Sequence, residues 1–273
     1  MSVKIKANNS GVLRKLSKIF ISNHELILSM TKREIRDRYA GNFLGLFWSI
    51  GYPLIQIGFY LIVFGSIFKL RYSNQSIAGP LYMLTGITPW IIFSEILSKS
   101  CFVILANSGL VKQIVFPIDI LPVKSALASM FTELIFIIVL LIYMVIASIN
   151  IPLTIFALPI FLFFQGILMI GIAYVLSSIT VFFKDTKEFV GIAIMFGVFT
   201  LPIFYSPTTV PAFLKWVIYL NPISYMIDSF RWCLGAPTLF SWSWLVFVGL
   251  STFSLILGYK IFDKLKTFFG SAL

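Results

Sequence analysis

Stretches that lack any charged side chain alternate with short polar segments along this chain. No Asp, Glu, Lys or Arg occurs in 43–68, 134–183 or 232–259. A helix needs about 20 apolar residues to cross the hydrocarbon core of a bilayer, and prolines and polar residues divide the apolar part of the chain into segments of about that length. The pattern predicts an all-α polytopic membrane protein, one transmembrane domain over 1–273, with six transmembrane helices at 43–68, 80–106, 121–148, 153–183, 189–205 and 236–260.

The segment before the first span, 1–42, is charged and helix-prone. Leu28, Ile35 and Tyr39 fall together on a helical wheel, and charged residues occupy the other sides. A basic amphipathic helix that runs directly into an apolar span is typical of a helix lying on the membrane surface, and Asn23 is placed to cap it. An ordinary basic flank is the alternative that this stretch leaves open.

The segment 107–120 separates the second and third spans. Ser108 is placed to cap a short helix that extends through Val115, and Pro117 and Pro122 prevent its extension. A short helix that ends at a proline is suited to docking a partner, and it can equally be an interfacial linker.

Between the fifth and sixth spans, the segment 206–235 has apolar runs too short to cross a bilayer. Asn221 is placed to cap a helix that opens at Pro222, and Asp228 and Arg231 can pair at i, i+3. We predict an external hairpin of two short re-entrant helices, buried by neighbouring protein. The alternative is an external loop whose aromatic residues lie among the lipid headgroups.

Glu95, Lys99 and Glu133 are charged residues that fall well inside predicted spans. Glu95 and Lys99 are four residues apart and share a helix face, which predicts a structural ion pair near the inner interface. A gating or transport role for this pair stays open, because ionisable groups within spans usually face a bundle or a wet cavity. For Glu133 in the third span we expect a hydrogen-bonded or protonated partner.

The composition fits a membrane protein, with 59% hydrophobic and 11% charged residues against about 25% charged in soluble domains. The net charge of +11 alone would suggest nucleic acid as a partner, but the distribution of basic residues indicates orientation instead. Sixteen of the 21 Lys and Arg fall on one side of the predicted topology, which is the positive-inside pattern and places both termini in the cytoplasm. The sixteen are the nine before Asn42 and Lys112, Lys124, Lys184, Lys187, Lys260, Lys264 and Lys266.

The sequence contains no pattern typical of a nucleotide-binding or catalytic site. GxxxxGK[ST] is absent, as are GxSxG, HExxH and CxxC. Cys101 and Cys233 lie in or near spans without a spaced motif, and His24 has no Cys or His neighbour, so neither a metal site nor a disulfide is predicted. The N-terminus lacks a long apolar core, so no cleaved signal peptide is expected. We predict a protein that is not an enzyme and binds no cofactor itself.

Three stretches, in order over about 31–235, resemble the membrane subunit of ABC polysaccharide exporters, which move O-antigen, capsule and teichoic-acid chains. The family's charged helix, LGxxW and PL elements are matched by KREIRDRYAGNFLGLFWSIGYPL. Its cytoplasmic loop with an FP and ILP core is matched by LVKQIVFPIDILPVKS, and its PIFY, VP and LNP elements by PIFYSPTTVP and LNPISYMIDSFR. Ile118 and Asp119 stand where a basic–acidic pair is more usual, and Asp228 replaces a common glutamate.

The resemblance implies a permease homodimer in the bacterial inner membrane that binds two copies of an ABC ATPase subunit, with ATP and Mg²⁺ bound on that partner. It implies that the 107–120 segment inserts into a groove of the ATPase and that the amphipathic helix lies beside it. The substrate implied is a lipid-linked polysaccharide, with O-antigen favoured; teichoic acid, a drug or a small lipid are the alternatives. The residues expected at this coupling surface are Ser108, Val111, Lys112, Gln113, Val115, Phe116, Asp119, Glu34, Arg36 and Arg38.

Sugars present hydroxyls and apolar CH faces, so a lining for a moving polymer is expected to combine aromatic rings with a few amides and hydroxyls. Helical spacing places such residues on one face of the first span and of the fifth. The alternative is that these rings face lipid or pack in the core. The predicted channel residues are Tyr52, Gln56, Phe59, Tyr60, Trp90, Phe93, Phe196, Phe199, Phe204 and Tyr205.

Two other classes of function remain open. A membrane-embedded enzyme acting on lipid-linked sugars would be active without ATP and would need an essential acid such as Glu133 or Glu95. A structural membrane anchor for another protein would have neither an ATPase partner nor a transport activity.

Overall fold

The computed structural model describes residues 11–41, 43–63, 79–113, 116–205 and 211–273. Within those ranges every regular element is a helix. The helices are α1 (Val12–Ser22), α2 (His24–Tyr39), α3 (Trp48–Tyr60), α4 (Gly79–Ser100), α5 (Val103–Ala106), α6 (Ser108–Val111), α7 (Ile120–Ile146), α8 (Leu158–Phe182), α9 (Thr186–Thr200), α10 (Ala212–Leu220), α11 (Pro222–Cys233), α12 (Ser243–Leu265) and α13 (Phe269–Ala272).

Four helical stretches are long and apolar enough to cross a membrane: Pro80–Ser100, Ile120–Ile146, Leu153–Phe182 and Ser243–Ala272. They overlap the second, third, fourth and sixth predicted spans. A shorter apolar helix covers Trp48–Val63 at the first predicted span, whose remainder lies outside the described residues, and α9 at the fifth has 15 residues. The all-α class is confirmed for the described residues, the protein is a multi-pass membrane protein, and the count of six spans stays a prediction.

α8 and α12 cross with their backbones in contact. A Cβ atom added to Gly258 would lie 2.1 Å from the carbonyl oxygen of Gly171, and one added to Gly171 would lie 2.4 Å from the carbonyl carbon of Ser254. Glycine permits this approach, as small residues do where apolar helices pack closely. About one turn further along, the rings of Tyr174 and Phe262 pack with centroids 4.9 Å apart. This pair of helices is therefore the most tightly joined part of the described fold.

α4 lies at the centre of the described helices. Every residue from 81 to 90 is buried, and α4 contacts α7, α8, α9 and α11. α7 in turn contacts α2 and α3. The polar side chains between 81 and 90 consequently face other helices.

The predicted amphipathic helix is α2, and it packs on α7. Ile27 and Thr31 are buried, whereas Leu28, from the apolar side that the sequence predicts, is exposed. Asn23 precedes α2 as predicted, but its amide donates to a carbonyl of α1 and does not cap the helix. The place of α2 on the membrane surface stays a prediction.

The second predicted span, 80–106, is interrupted near its end. α4 stops at Ser100, and α5 and α6 follow as single turns. The hydroxyl of Ser100 and the thiol of Cys101 donate to carbonyls one turn earlier, a pattern that bends helices. The predicted helix over 108–115 is shorter than expected, because α6 ends at Val111; positions 114 and 115 lie outside the described residues.

Two short helices, α10 and α11, follow α9 as the sequence predicts. The Asn221 side chain accepts a hydrogen bond from the Ile223 N–H at 3.1 Å, which confirms the predicted cap of α11. α11 is almost completely buried, whereas α10 exposes Trp216 and Leu220. Burial of α11 by neighbouring helices suits a re-entrant hairpin, whose depth in the membrane stays a prediction.

Candidate functional site

The helix α2 is fastened to α7 by hydrogen-bonded charges. The Glu34 carboxylate lies 3.2 Å from the Lys124 ammonium and accepts a hydrogen bond from Ser125 at 2.9 Å. Both charged side chains are largely shielded from solvent. A shielded pair with an additional hydrogen bond holds its partners together more firmly than an exposed pair does.

A second cluster of charges joins α2 to α4 and α7. Arg38 lies 3.1 Å from the Glu95 carboxylate and donates to the Thr132 hydroxyl at 2.7 Å. Glu95 also pairs with Lys99, which confirms the predicted ion pair, and accepts a hydrogen bond from Ser129 at 3.0 Å. Glu95 therefore lies at the centre of these contacts, and we call the group the Glu95 cluster. The sequence predicts only its Glu95–Lys99 pair, because Arg38 comes from a distant part of the chain.

A cavity of about 730 Å³ opens between α2, the end of α4, α5, α6 and the start of α7. We call it the basic pocket. Four cationic side chains and two carboxylates line it, so it carries an excess of positive charge. The charged lining residues are Arg33, Arg38, Lys99, Lys124, Glu34 and Asp37.

A second cavity of about 500 Å³ lies between α3, α4, α7 and α9, and we call it the aromatic pocket. Its lining includes Tyr52 and Gln56 from α3 together with Phe136 and Glu95. Ser98 lines both the aromatic and the basic pocket. The two cavities therefore lie on either side of the Glu95 cluster.

The structure brings Tyr52 and Gln56, two of the predicted channel residues, into one cavity, and distributes the others. Phe59, Phe196 and Phe199 are exposed on α3 and α9, and Tyr60, Phe204 and Tyr205 are half-buried. Trp90 and Phe93 are buried, and the Trp90 ring packs so closely on Gly197 that a Cβ there would lie 2.3 Å from it. A channel role for each of the ten residues stays a prediction.

The predicted coupling surface divides into exposed and anchored side chains. Lys112, Gln113 and Arg36 are exposed, Ser108 is half-buried, and Val111 is buried. Phe116 packs against the core, and Val115 lies outside the described residues. Glu34 and Arg38 turn into the helix bundle, as described above. Of the predicted coupling residues that the structure describes, the exposed ones are available to a partner.

Asp119, the last residue before α7, has a charge partner that the sequence does not indicate. Its carboxylate lies 2.8 Å from the Lys266 ammonium, 147 residues away along the chain.

Asp228 and Arg231 turn to different partners and do not form the pair that their spacing suggests. Asp228 accepts from the Leu239 and Phe240 N–H groups, at 2.7 and 3.1 Å, and from the Ser243 hydroxyl. Burial raises the pKa of its carboxyl above the usual value, and these hydrogen bonds offset only part of that rise. The Arg231 guanidinium is buried over the Tyr82 ring, 3.7 Å from its centroid. Arg231 thereby fixes α11 to α4, and Asp228 fixes it to the turn before α12.

Glu133 is buried in α7 beside Gln165 of α8. Among the described residues neither carboxylate oxygen makes a hydrogen bond of normal geometry. Gln165 is the neighbouring polar side chain, and the partner expected for Glu133 from the sequence stays a prediction.

Comparison with known proteins gives consistent matches over most of the chain. A family model described as ABC-2 type transporter matches residues 25–234. The chain is 28% identical over 276 residues to the O-antigen export system permease protein RfbA of Klebsiella pneumoniae, covering 100% of both chains. A protein of the same name from Myxococcus xanthus is 24% identical over 76% of this chain and 78% of its own. The polysialic acid transport protein KpsM of Escherichia coli is 33% identical over 40% of this chain and 42% of its own.

Proposed function

This chain belongs to the ABC-2 type transporter family of membrane proteins, and from that premise we propose that it is the permease subunit of an exporter of lipid-linked O-antigen. A separate ATPase subunit drives it in the bacterial inner membrane, with both termini of the permease in the cytoplasm. The observation that carries the proposal is the match to an O-antigen export permease from end to end. The match to the polysialic acid transport protein covers only 40% of the chain, so O-antigen is favoured over a capsule polymer.

The proposed path begins at the basic pocket. Lipid-linked sugars are joined to their lipid through phosphate, so the anionic linkage suits a cavity with four cationic side chains beside the interfacial helix α2. Beyond the Glu95 cluster, Tyr52 and Gln56 offer a ring and an amide to the sugars. A ring that faces the CH side of a sugar and an amide that exchanges hydrogen bonds bind each unit weakly, which permits movement.

A second copy of the chain completes the proposed path. α3 and α9 expose Phe59, Phe196 and Phe199 together with neighbouring aliphatic residues. These rings line one side of a path if a partner subunit supplies the other, and a symmetric dimer is the commonest arrangement for such a surface. We therefore propose a homodimer that binds two ATPase subunits, which carry ATP and Mg²⁺.

A loss-of-function experiment tests the proposed function. Cells that lack this chain are expected to lose O-antigen from their surface and to accumulate lipid-linked polymer inside, because synthesis continues while export stops. Surface O-antigen can be measured by gel and antibody, with the wild-type chain supplied in trans as the control. Unchanged surface polymer in the deletion strain contradicts the proposal.

We expect export to slow about fivefold in each of three variants, Tyr52→Ala, Gln56→Ala and Phe199→Ala. Each substitution removes a contact of roughly 1 kcal/mol with the moving polymer. The rate of polymer appearance outside the membrane measures the effect. Phe163→Ala on α8 is the matched control, since that ring is equally exposed and lines neither pocket. Wild-type rates in the three channel variants would remove the channel assignment.

A further inference from the structure

A chain of ion pairs connects both ends of the protein to the start of α7. We call it the terminal brace: Lys15, Asp263, Lys266 and Asp119. The Lys15 ammonium lies 2.8 Å from one oxygen of Asp263, and the other oxygen lies 2.9 Å from the Lys266 ammonium. Lys266 then reaches Asp119 at 2.8 Å. Segments that are more than 100 residues apart in sequence thus meet at the point where the 107–120 segment enters α7.

Asp119 is held through both its backbone and its side chain. The buried Tyr174 of α8 donates its hydroxyl to the Asp119 carbonyl at 2.9 Å. The Asp119 side chain is 13% exposed, and in the described part of the chain Lys266 is the cation within ion-pair distance of it. A carboxylate this far from solvent loses much of its hydration, so loss of its cation would leave the charge poorly compensated.

Lys266 is itself attached to a rigid part of the fold. It follows α12, which contacts α8 backbone to backbone at Gly258 and Gly171. Just beyond it, the fully buried Phe269 packs against Phe262. The ammonium that meets Asp119 is therefore fixed relative to the α8–α12 pair.

We propose that Lys266 is a positioning residue that holds the 107–120 segment at its junction with α7. When an ATPase pushes on Lys112 and Gln113, the fixed junction transmits the movement of the segment to α7. This inference rests on the proposed function. The exposed side chains receive the partner, while the brace fixes the far end of the same segment. Lys266 touches neither ATPase nor polymer in this arrangement and acts through Asp119.

The test measures polymer exported per ATP hydrolysed, with the permease and its ATPase reconstituted together in vesicles. Lys266→Met is expected to retain ATPase binding, because the exposed docking residues are unchanged, but to lower the ratio about tenfold, since a charged hydrogen bond is lost. Lys266→Arg is expected to restore the ratio. The amides of 107–113 are expected to exchange hydrogen faster in Lys266→Met than in the wild type.

Lys264→Met is the matched control. Lys264 lies between Asp263 and Lys266 in the sequence, is exposed and forms no ion pair among the described residues; its variant is expected to match the wild type. Asp119→Asn combined with Lys266→Met is expected to be no worse than Lys266→Met alone, because both changes remove the contact between Lys266 and Asp119. A wild-type ratio in Lys266→Met, or additive losses in the double variant, overturns the inference. Failure of the wild-type complex to export would overturn the proposed function instead.

Discussion

Replacing Gly258 with alanine is expected to lower the stability of the folded protein by about 3 kcal/mol, at the upper end of the range usual for an overpacked core. The added methyl group would lie 2.1 Å from the carbonyl oxygen of Gly171, and backbone atoms cannot turn aside as a flexible side chain can. α8 and α12 would have to separate along their whole contact. Thermal unfolding in detergent, followed by loss of the monodisperse peak, measures the effect.

Gly249→Ala is the matched control for this substitution. Gly249 lies in the same helix, α12, and an added Cβ there would meet no atom within 4 Å. Because both changes remove a helical glycine, they share the intrinsic gain in helix propensity. Equal melting temperatures for the two variants would show that the close crossing of α8 and α12 does not carry the stability assigned to it.

Deleting Val111–Phe116 is expected to abolish ATP-dependent export by separating the ATPase from the permease. Lys112 and Gln113 are the most exposed side chains of the described part of this segment, and removing them removes the docking surface. The ATPase should no longer co-purify. Polymer export and the amount of bound ATPase are measured in the same preparation.

Val111 is buried, so the deletion also removes a packing contact, and a milder variant separates the two effects. Lys112→Glu reverses one exposed charge without touching the core and is expected to reduce ATPase binding several-fold. The control is Lys187→Ala with Glu188→Ala, which alters an exposed ion pair at the start of α9. Export at the wild-type rate after the deletion would rule out docking by this segment.

The Glu95 cluster shows which contacts of the candidate site can be predicted from residue spacing and which cannot. Glu95 and Lys99 share a helix face at i, i+4, which the sequence alone reveals. Arg38 joins them from α2 and Ser129 from α7, and no local pattern indicates those contacts. Asp228 and Arg231 likewise have the spacing of an ion pair but bind other groups. Asp228 accepts from backbone N–H groups before α12, and Arg231 packs on the Tyr82 ring.

The sequence alone determined that the chain is helical and membrane-embedded, and that its apolar helices are interrupted at 107–120 and 206–235. The hydrophobic pattern, the prolines and the distribution of basic residues carry that information. Those features are local, since helix periodicity and the hydrophobic length of a span are read within about 20 residues. The tertiary structure decided which charges meet, such as Lys15 with Asp263 across 248 positions, and which glycines allow helices to touch. Contacts of that kind depend on how whole helices pack, and the identity of either residue alone does not specify the other.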